Sequence, residues 1–479
     1  MAVAEIAKSL NFASNALIDE VYNEHQKQKH ILRRSSIKER KELLKNIRNY
    51  LKSDVSVDRL KKAIYADFKK PYAETELTEI IPTIAHLNEV LSKLATWVKP
   101  KSHYIPIVYT GLSAKTFHES KGSTLIISPW NYPFYLAVYP LIYAIASGCS
   151  VVLKPSEMTP NTSAFIEDMV KSCLPKNQYR VLHGAIPETT HLLSKKWDHI
   201  FFTGSPAVGK IVMKAASKHL TSVSHELGGK SPCIVDKKVN IKSTASKLAW
   251  GKFINAGQTC IAPDYVLVHE SKKRELILEL KDVIEKMYGK DAWKSDSYAI
   301  MINEKNTERV GGYIGDAVSN GAKVEYGGSY SIENRYIDPT IISDVTMDMA
   351  LMKEEIFGPV LPILTYTNKE EALEIISSLD KPLSFYVCTK SKETERFFRE
   401  RTSAGGMVVN DFIMGAGIPT VPFGGVNTSG MGKAYGFHGF IEFTNEKPIV
   451  RRNFMTLSFL FPPYTEQKSR LLSWIKKLV

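Results

Sequence analysis

The sequence predicts an α/β fold built on parallel sheets, because short apolar runs alternate with helix-like segments along most of the chain. The runs of the first block, within residues 122–225, are TLIIS (124–128), CSVVLKP (149–155), YRVLHG (179–184) and DHIFFTG (198–204). A second block begins at SPCIVD (231–236) and continues through YVLVHE (265–270) to GMVVN (406–410). The boundary between the blocks falls near SHELGGK (224–230), and residues 1–100, with little Gly or Pro, are predicted to be mostly helical.

The composition is that of a folded protein with more than one domain. The chain has 479 residues, of which 44% are hydrophobic and 24% charged, and a domain usually takes roughly 100–200 residues. The formal net charge is +13, and basic residues are most concentrated in residues 27–48. In the same segment, Ile37, Leu44 and Ile47 recur at helical spacing. An amphipathic helix with a solvated basic face explains this segment. No nucleic-acid-binding motif is present, so no nucleic-acid partner is predicted.

Cysteine usage and the N-terminal residues indicate a reducing compartment. The five cysteines are scattered, without a CxxC motif or a Cys/His pattern of metal-ligand spacing, so no metal site is predicted. The first twenty residues lack the charged and then apolar layout of a signal peptide. We therefore expect a cytoplasmic protein.

The stretch PWNYPFYLAVYPLIYAIASGCSVVLKPSE (129–157) is apolar enough to suggest a membrane span. No charged side chain lies between Lys121 and Lys154. However, Pro140 interrupts the densest apolar part, and no belt of aromatic and basic residues flanks both ends. Inside an α/β alternation, a buried helix followed by a strand is the favoured interpretation.

The segment FFTGSPAVGK places Gly204 and Gly209 directly after a predicted strand and at the start of a helix. Free N–H groups and the positive end of the helix dipole make such a turn suitable for a phosphate. The segment nearly spells the P-loop of nucleotide triphosphatases. Ile211 stands where that motif needs a magnesium-binding hydroxyl, which argues against a triphosphatase.

The segment FINAGQTCIAP places Cys260 among small residues and amides. A thiolate adds readily to carbonyl carbons, so Cys260 is a candidate nucleophile. The other cysteines lie in apolar runs such as IASGCSVVL and SPCIVD, where packing in the core is the simpler role.

Seven motifs together resemble the aldehyde dehydrogenase superfamily, over about residues 35–450. They occur in the family's order and are PWNYP, KPSE, FTGSPAVG, ELGGKSP, NAGQTC, EEIFGPV and PFGGVNTSGMG. The 34-residue interval from Glu226 to Cys260 also matches. With PWNYP near residue 130, the chain looks most like the class 3 branch, which includes fatty aldehyde dehydrogenases and relatives that act on aromatic aldehydes.

The resemblance implies a fold with four parts. These are a Rossmann-like NAD-binding domain (1–102 and 122–225), an α/β catalytic domain that carries the nucleophilic cysteine (226–439), β strands for oligomerisation (103–121 and 440–456) and a C-terminal amphipathic tail (457–479). It also implies a homodimer.

The same resemblance assigns three catalytic roles. Cys260 would attack the aldehyde carbon and form a tetrahedral hemithioacetal, which hydride transfer would convert into a thioester. Asn131 would stabilise the oxyanion through its side-chain N–H, together with the backbone N–H of Cys260. Glu226 would act as general base on the water that hydrolyses the thioester.

Further positions match the family's cofactor site. Glu355 and Phe357 would hold the nicotinamide ribose and ring, and Lys154 would contact the adenine-side ribose. Glu157 would bond the ribose 2′-hydroxyl and repel a 2′-phosphate, so NAD is preferred and NADP remains possible. The pyrophosphate loop is matched by Gly204, Ser205 and Gly209, with Val208 beside the adenine. Pro206 departs from the usual sequence of this loop in the family, which is expected to affect cofactor binding and not the chemistry.

Two other functions remain open on sequence grounds. A CoA-acylating enzyme on the same fold would pass the acyl group to CoA, although a base at Glu226 favours water. A non-catalytic protein on this scaffold would have no need for Cys260, Glu226 and Asn131 together. The resemblance implies medium- or long-chain aliphatic or aromatic aldehydes as the substrate class.

The tail is predicted to hold a basic amphipathic helix over 466–479, after the break at Pro462 and Pro463. Leu471, Leu472 and Ile475 lie on one face of it. Three roles are possible: packing on the protein's own body, lying on an anionic membrane surface, or covering the mouth of the substrate tunnel. We expect a soluble protein or one peripherally attached to a membrane.

Overall fold

A computed structural model describes residues 10–454 and 461–478. The strands are β1 (Lys101–Ser102), β2 (Leu112–Ser120), β3 (Ser123–Ile127), β4 (Ser150–Lys154), β5 (Tyr179–Val181), β6 (His199–Gly204), β7 (Ser222–Leu227), β8 (Pro232–Val235), β9 (Tyr265–His269), β10 (Lys323–Tyr326), β11 (Tyr330–Ser331), β12 (Tyr336–Ile337), β13 (Thr340–Ser343), β14 (Val360–Tyr366), β15 (Ser384–Cys388), β16 (Gly406–Val409), β17 (Gly430–Met431) and β18 (Thr444–Arg452).

The α-helices are α1 (Asn15–Leu32), α2 (Ile37–Leu51), α3 (Asp54–Phe68), α4 (Tyr72–Thr75), α5 (Ile81–Trp97), α6 (Tyr135–Ser147), α7 (Pro160–Cys173), α8 (Ile186–Leu193), α9 (Pro206–Ser217), α10 (Ile241–Phe253), α11 (Lys273–Tyr288), α12 (Glu304–Ser319), α13 (Ala350–Lys353), α14 (Lys369–Ser377), α15 (Lys392–Arg401), α16 (Gly436–Glu442) and α17 (Glu466–Leu478). A π-helix, Glu76–Ile80, joins α4 to α5. Short 3₁₀ turns lie at Ile107–Tyr109, Ile254–Gly257, Glu270–Lys272, Ala292–Lys294, Met414–Gly417 and Asn427–Ser429.

The first sheet has six strands in the order β17-β7-β6-β3-β4-β5, and all but β17 are parallel to their neighbours. The four apolar runs predicted within residues 122–225 form four of these strands. Both faces are covered, as alternate residues of β3 show. Ile126 packs in a core with α2, α5, α6 and α7, whereas Leu125 and Ile127 pack in a second core with α1, α8 and α9.

The second sheet has seven strands in the order β10-β13-β14-β9-β8-β15-β16. They are parallel except for β10, which runs antiparallel to β13. The runs predicted from residue 231 onward form β8, β9 and β16, and a third apolar core fills the space between this sheet and its helices. The predicted α/β fold class is confirmed.

A third, smaller sheet has the order β1-β2-β18 and is antiparallel. In it β18 pairs with β2 along nine residues, from Thr444 opposite Ser120 to Arg452 opposite Leu112. One short strand crosses the sequence boundaries expected for the parts of the fold: β17, in the segment 226–439, adds to the first sheet beside β7.

The basic N-terminal segment forms parts of two helices rather than one. Ser36 interrupts it, because the Ser36 side chain accepts a hydrogen bond from the Glu39 N–H while the Glu39 carboxylate accepts from the Ser36 N–H. This capping box starts α2. Leu44 and Ile47 of α2 are buried, as the helical spacing predicts.

The apolar stretch after residue 129 forms α6, in which every residue from Tyr135 to Ser147 is buried. Gly148 ends the helix with a φ of 77°, where a Cβ would lie 2.8 Å from the Arg40 guanidinium carbon. Glycine is therefore needed there for both conformation and space. Among residues 10–454 and 461–478, no helix is long and apolar enough to cross a membrane.

The start of α6 is held by a buried ion pair. Glu79, in the π-helix, has one oxygen 2.9 Å from Lys70 Nζ, and both side chains are fully buried. The other oxygen accepts from the N–H groups of Phe134 (3.0 Å) and Tyr135 (2.9 Å). A carboxylate at this position satisfies N–H groups that have no partner inside the helix and interacts favourably with the helix dipole.

We expect Glu79→Gln to destabilise the fold by about 3–5 kcal/mol, because Lys70 would remain buried without its counter-charge. Urea denaturation would measure the change. Glu42→Gln is a matched control that removes the same charge from an exposed pair with Lys45, and its effect should stay below about 1 kcal/mol. Equal effects of the two substitutions would contradict this role of the ion pair.

Candidate active site

Most of the predicted site residues lie at the carboxyl ends of parallel strands in the first sheet, whereas Cys260, Glu355 and Phe357 come from segments of the second. From β3 the chain proceeds to β4 and β5 on one side, and β6 and β7 lie on the other side of β3. The adjacent strands β3 and β6 therefore flank the point where the strand order reverses, which is where open α/β sheets bind ligands. Asn131 follows β3, and Gly204 ends β6.

The loop after β6 has the geometry of an anion cradle. Ser205 caps α9, and its hydroxyl accepts from the Val208 N–H at 3.4 Å, with Pro206 in the first turn. A Cβ on Gly204 would lie 2.5 Å from Phe202 Cζ, and one on Gly209 would lie 2.9 Å from Leu227 Cδ2. Glycine at both positions leaves room for this close packing, and the exposed Val208 beside them faces solvent. The loop fits a pyrophosphate.

Lys154, the last residue of β4, and Glu157, just after it, form a second group. The Lys154 ammonium donates to Glu157 Oε2 at 2.9 Å and to the Gly184 carbonyl at 3.0 Å. Lys154 is buried, whereas the Glu157 side chain is 34% exposed. Glu157 can therefore present its carboxylate to a ligand at the strand ends while Lys154 fixes its position.

The turn before Cys260 is conformationally strained. Asn255, Ala256 and Gly257 have φ values of 56°, 50° and 71°, three successive residues in the left-handed region. A Cβ on Gly257 would overlap the Gly358 carbonyl, so glycine is required there. Left-handed residues other than glycine are unfavourable and cluster at functional sites. Cys260 follows this turn, and burial raises the pKa of its thiol.

Asn131 is bonded to the segment that carries Cys260. Its side-chain N–H donates to the Gln258 carbonyl at 3.1 Å, and the Asn255 amide donates back to the Asn131 carbonyl at 2.8 Å. A hydrogen bond of 2.6 Å also joins the hydroxyls of Tyr132 and Thr259. An amide carries two N–H donors, so Asn131 keeps one for a ligand.

Glu226, near the end of β7, is a buried carboxylate with one bonded oxygen. The Tyr139 hydroxyl donates to its Oε2, and its Oε1 is buried with no partner in hydrogen-bond geometry. Burial raises the pKa of Glu226 to about 7, an effect opposed by the Tyr139 hydrogen bond. The nearby Thr203 hydroxyl also lowers the pKa of Glu226. A carboxyl group that titrates near neutral pH is suited to general-base catalysis.

Glu355 and Phe357 lie on a loop of the second sheet that approaches the first. A Cβ on Gly228 would overlap Glu355 Oε2, and burial raises the pKa of Glu355 to about 8, with a further increase from Asp264. Phe357 has a φ of 49°, and its ring meets that of Trp130 edge-on at 5.3 Å.

The predicted residues fall into two groups. Around the nucleophile lie Cys260, Asn131, Glu226, Glu355 and Phe357, and the charges of Glu355 and Glu226 both raise the pKa of the Cys260 thiol. Along the strand ends of the first sheet lie Lys154, Glu157, Gly204, Ser205, Val208 and Gly209.

Sequence reasoning missed several residues that support the site. Gln258 donates to the Asn255 and Ile300 carbonyls at 3.0 and 3.1 Å and fixes the strained turn. Lys230 bonds to Asp264 and donates to the Glu354 carbonyl at 2.9 Å, beside Glu355. Gln258 lies within the motif NAGQTC and Lys230 within ELGGKSP, but neither motif indicates these contacts, which join distant segments.

Comparisons with known proteins agree with this geometry. The model of the aldehyde dehydrogenase family matches residues 2–449. The 4,4'-diaponeurosporen-aldehyde dehydrogenase of Staphylococcus aureus is 40% identical over 426 residues, 89% of this chain and 92% of that protein. The protein named "Aldehyde dehydrogenase, dimeric NADP-preferring" of Rattus norvegicus is 38% identical over 82% of this chain and 86% of its own.

A solved structure gives the same result. The substrate-bound state of Staphylococcus aureus AldH superposes with a TM-score of 0.91 at 38% identity, over 96% of this chain and 99% of that one. The chain belongs to the aldehyde dehydrogenase family. It is an NAD(P)-dependent enzyme that oxidises aldehydes, and its relatives include class 3 members.

Proposed function

We propose that the enzyme converts aldehydes to carboxylic acids through a thioester on Cys260, with Glu226 as the general base. The observation that carries this mechanism is the arrangement around Cys260. The Asn131 amide is bonded to the same segment, and Glu226 has a buried oxygen without a partner. An unpaired carboxylate oxygen in a buried site can accept a proton from water.

The chain's own groups account for each step. The Cys260 thiol releases its proton to solvent, its sulfur adds to the aldehyde carbon, and the resulting oxyanion accepts from the Asn131 amide and the Cys260 backbone N–H. Removing such a donor costs roughly 3–4 kcal/mol in related oxyanion holes. The chemistry supplied by bound NAD(P) is the acceptance of a hydride from the substrate carbon. Glu226 then takes a proton from water, which attacks the thioester and releases the acid.

Glu157 favours NAD over NADP in this proposal. Its carboxylate is held at the strand ends by Lys154, where it suits a ribose 2′-hydroxyl and repels a 2′-phosphate. Residues 204–209 would hold the pyrophosphate, and Glu355 and Phe357 would hold the nicotinamide end. Initial rates with NAD and NADP at equal concentration measure this preference, and a faster reaction with NADP would contradict it.

The mechanism predicts different defects for two substitutions in an assay of NADH formation with decanal. Cys260→Ala should lower turnover by ~10⁶-fold while leaving NAD binding intact, because no other group can form the thioester. Glu226→Gln should release a burst of NADH and then stall, because the thioester accumulates.

Steady turnover in Cys260→Ala would refute the role of Cys260 as the nucleophile. An unchanged steady-state rate in Glu226→Gln would refute the base, and NADH formation only with added CoA would favour CoA acylation.

We also propose a homodimer that uses the small sheet. The outer strand β18 exposes Ile449 (42%) and Val450 (61%), and strand edges of this kind pair readily with another chain. The rat relative, at 38% identity, is named as dimeric.

Light scattering should therefore give a mass of twice 53.8 kDa. Val450→Glu should shift the mass toward the monomer, since a charge at an edge opposes pairing. Ile332→Glu is the matched control at another exposed site and should leave the dimer intact. A monomeric wild-type protein would contradict the proposal.

Apolar and aromatic residues near Cys260 support the substrate class. Helix α6 carries no charged residue, Tyr132 bonds to Thr259 beside Cys260, and the Trp130 ring contacts that of Phe357. We assign medium- or long-chain aliphatic aldehydes, or aromatic ones, as substrates.

Helix α17 extends this apolar character. Among its described side chains, Leu471, Leu472 and Trp474 are 37%, 42% and 59% exposed, so packing on the protein's own body does not account for them. Arg470 and Lys476 add positive charge. These features favour peripheral contact with an anionic membrane surface in the cytoplasm, or a cover over the substrate entrance.

Deletion of residues 466–479 should raise KM for a C12–C16 aldehyde more than for benzaldehyde. It should also weaken binding to anionic vesicles, measured by co-sedimentation, since each basic residue contributes about 1 kcal/mol near such a surface. A variant with Arg470→Gln and Lys476→Gln should lose vesicle binding and keep the normal KM. Equal changes for both aldehydes with unchanged vesicle binding would show that the tail is only structural.

A further inference from the structure

Helix α6 carries a stripe of buried tyrosines whose hydroxyls have different partners. Tyr135, Tyr139 and Tyr143 are spaced at i, i+4 and i+8, so they share one face of the helix. The Tyr135 hydroxyl donates to the Tyr435 hydroxyl at 2.6 Å. The Tyr143 hydroxyl lies 2.8 Å from His86 Nδ1 and accepts from a backbone N–H. Tyr139 alone of the three donates to a carboxylate.

We propose that Tyr139 is a positioning residue for Glu226. Its hydroxyl fixes the Oε2 atom of the carboxylate and thereby directs the unpaired Oε1 toward the water that attacks the thioester. This inference rests on the proposed role of Glu226 as general base. It adds a residue that the aldehyde dehydrogenase motifs do not include.

Aromatic contacts on several sides fix the direction of the Tyr139 hydroxyl. The ring meets Tyr435 edge-on at 5.2 Å and 90° and Phe201 at 5.9 Å and 86°. Tyr135 and His86 pack at 5.2 and 5.8 Å in tilted geometry. A ring held in this way cannot swing to another acceptor without displacing its neighbours. The carboxylate is therefore held in a defined orientation by a donor that is itself rigid.

Tyr139 remains a donor throughout the working range of pH, because burial raises the pKa of its hydroxyl well above the ordinary value. A donated hydrogen bond stabilises the ionised form of Glu226 and lowers its pKa, whereas burial raises it. Loss of the hydroxyl should thus raise the pKa of Glu226, and fewer molecules would hold the base ionised at pH 7.

Other charged groups also face Glu226 and must be held constant in a test. Glu442 raises the pKa of Glu226, and Lys433 lowers it. Cys260, Tyr135 and Tyr435 interact electrostatically with the same carboxylate. None of these side chains changes in the substitutions described next.

The test compares Tyr139→Phe with Tyr143→Phe, a matched loss of one buried hydroxyl a single turn along α6. Stopped-flow would measure the NADH burst, and acid quench the decay of the acyl-enzyme, between pH 6 and pH 10. A hydrogen bond to a charged group corresponds to about one to two pKa units. Tyr139→Phe should keep the burst rate, slow hydrolysis ~10-fold at pH 7 and recover as the pH rises. Tyr143→Phe should keep the wild-type pH profile.

The proposal is overturned if Tyr139→Phe keeps the wild-type profile of hydrolysis, or if both substitutions shift the profile equally, since packing would then explain the effect. Where Tyr139→Phe does not fold, Tyr139→Gln and Tyr139→Met provide the same comparison, because only glutamine keeps a donor. Tyr139→Gln should then hydrolyse faster at pH 7, and equal rates overturn the proposal. Full turnover in Glu226→Gln, or steady turnover in Cys260→Ala, would instead refute the proposed function.

Discussion

The buried ion pair between Lys70 and Glu79 is the constraint on which the catalytic side of the molecule depends. Glu79 binds the first N–H groups of α6, and the Lys70 ammonium lies 3.9 Å from the centre of the Tyr132 ring. These contacts fix both the start of the helix and the residue after Asn131. Since Tyr132 also bonds to Thr259, the same ion pair is linked through two side chains to the segment of the nucleophile. A charge pair placed far from water thus orders the loop where the two sheets meet.

The site around Cys260 also depends on the close approach of backbone segments from different elements. Gly257 packs against Gly358, and Gly228 packs against Glu355, with no room for a Cβ at either glycine. The strained turn at Asn255 and Ala256 persists because Gln258 and Asn131 hold it from both sides. Strain of this kind is maintained only where the surroundings over-determine the conformation. The loops of both sheets consequently form one rigid surface around Cys260.

Much of the fold and site could be predicted from the sequence, for specific physical reasons. The β-branched runs in β3, β4 and β6 alternate with amphipathic helices, and such periodicity is local. The site residues were found through motifs, each of which is a short continuous segment. Glu79 and Tyr139 were missed because their roles depend on partners 55 and 87 residues away in the chain. Lys70 was missed with Glu79, to which it bonds. The split of the basic segment at Ser36 was also missed, although SSIKE spells a capping box and the signal was present.

The small sheet pairs two strands that lie far apart in the sequence. β2 ends at Ser120, and its partner β18 begins only at Thr444. During synthesis, the five parallel strands of the first sheet can assemble soon after residue 227 has emerged, whereas β2 must wait for β18 until almost the whole polypeptide is made. Pairings between such distant segments form slowly and leave strand edges open in the meantime. The edge of β2 that β18 finally covers therefore stays open while residues 121–443 are being made, which is a cost of closing this sheet with the last strand of the chain.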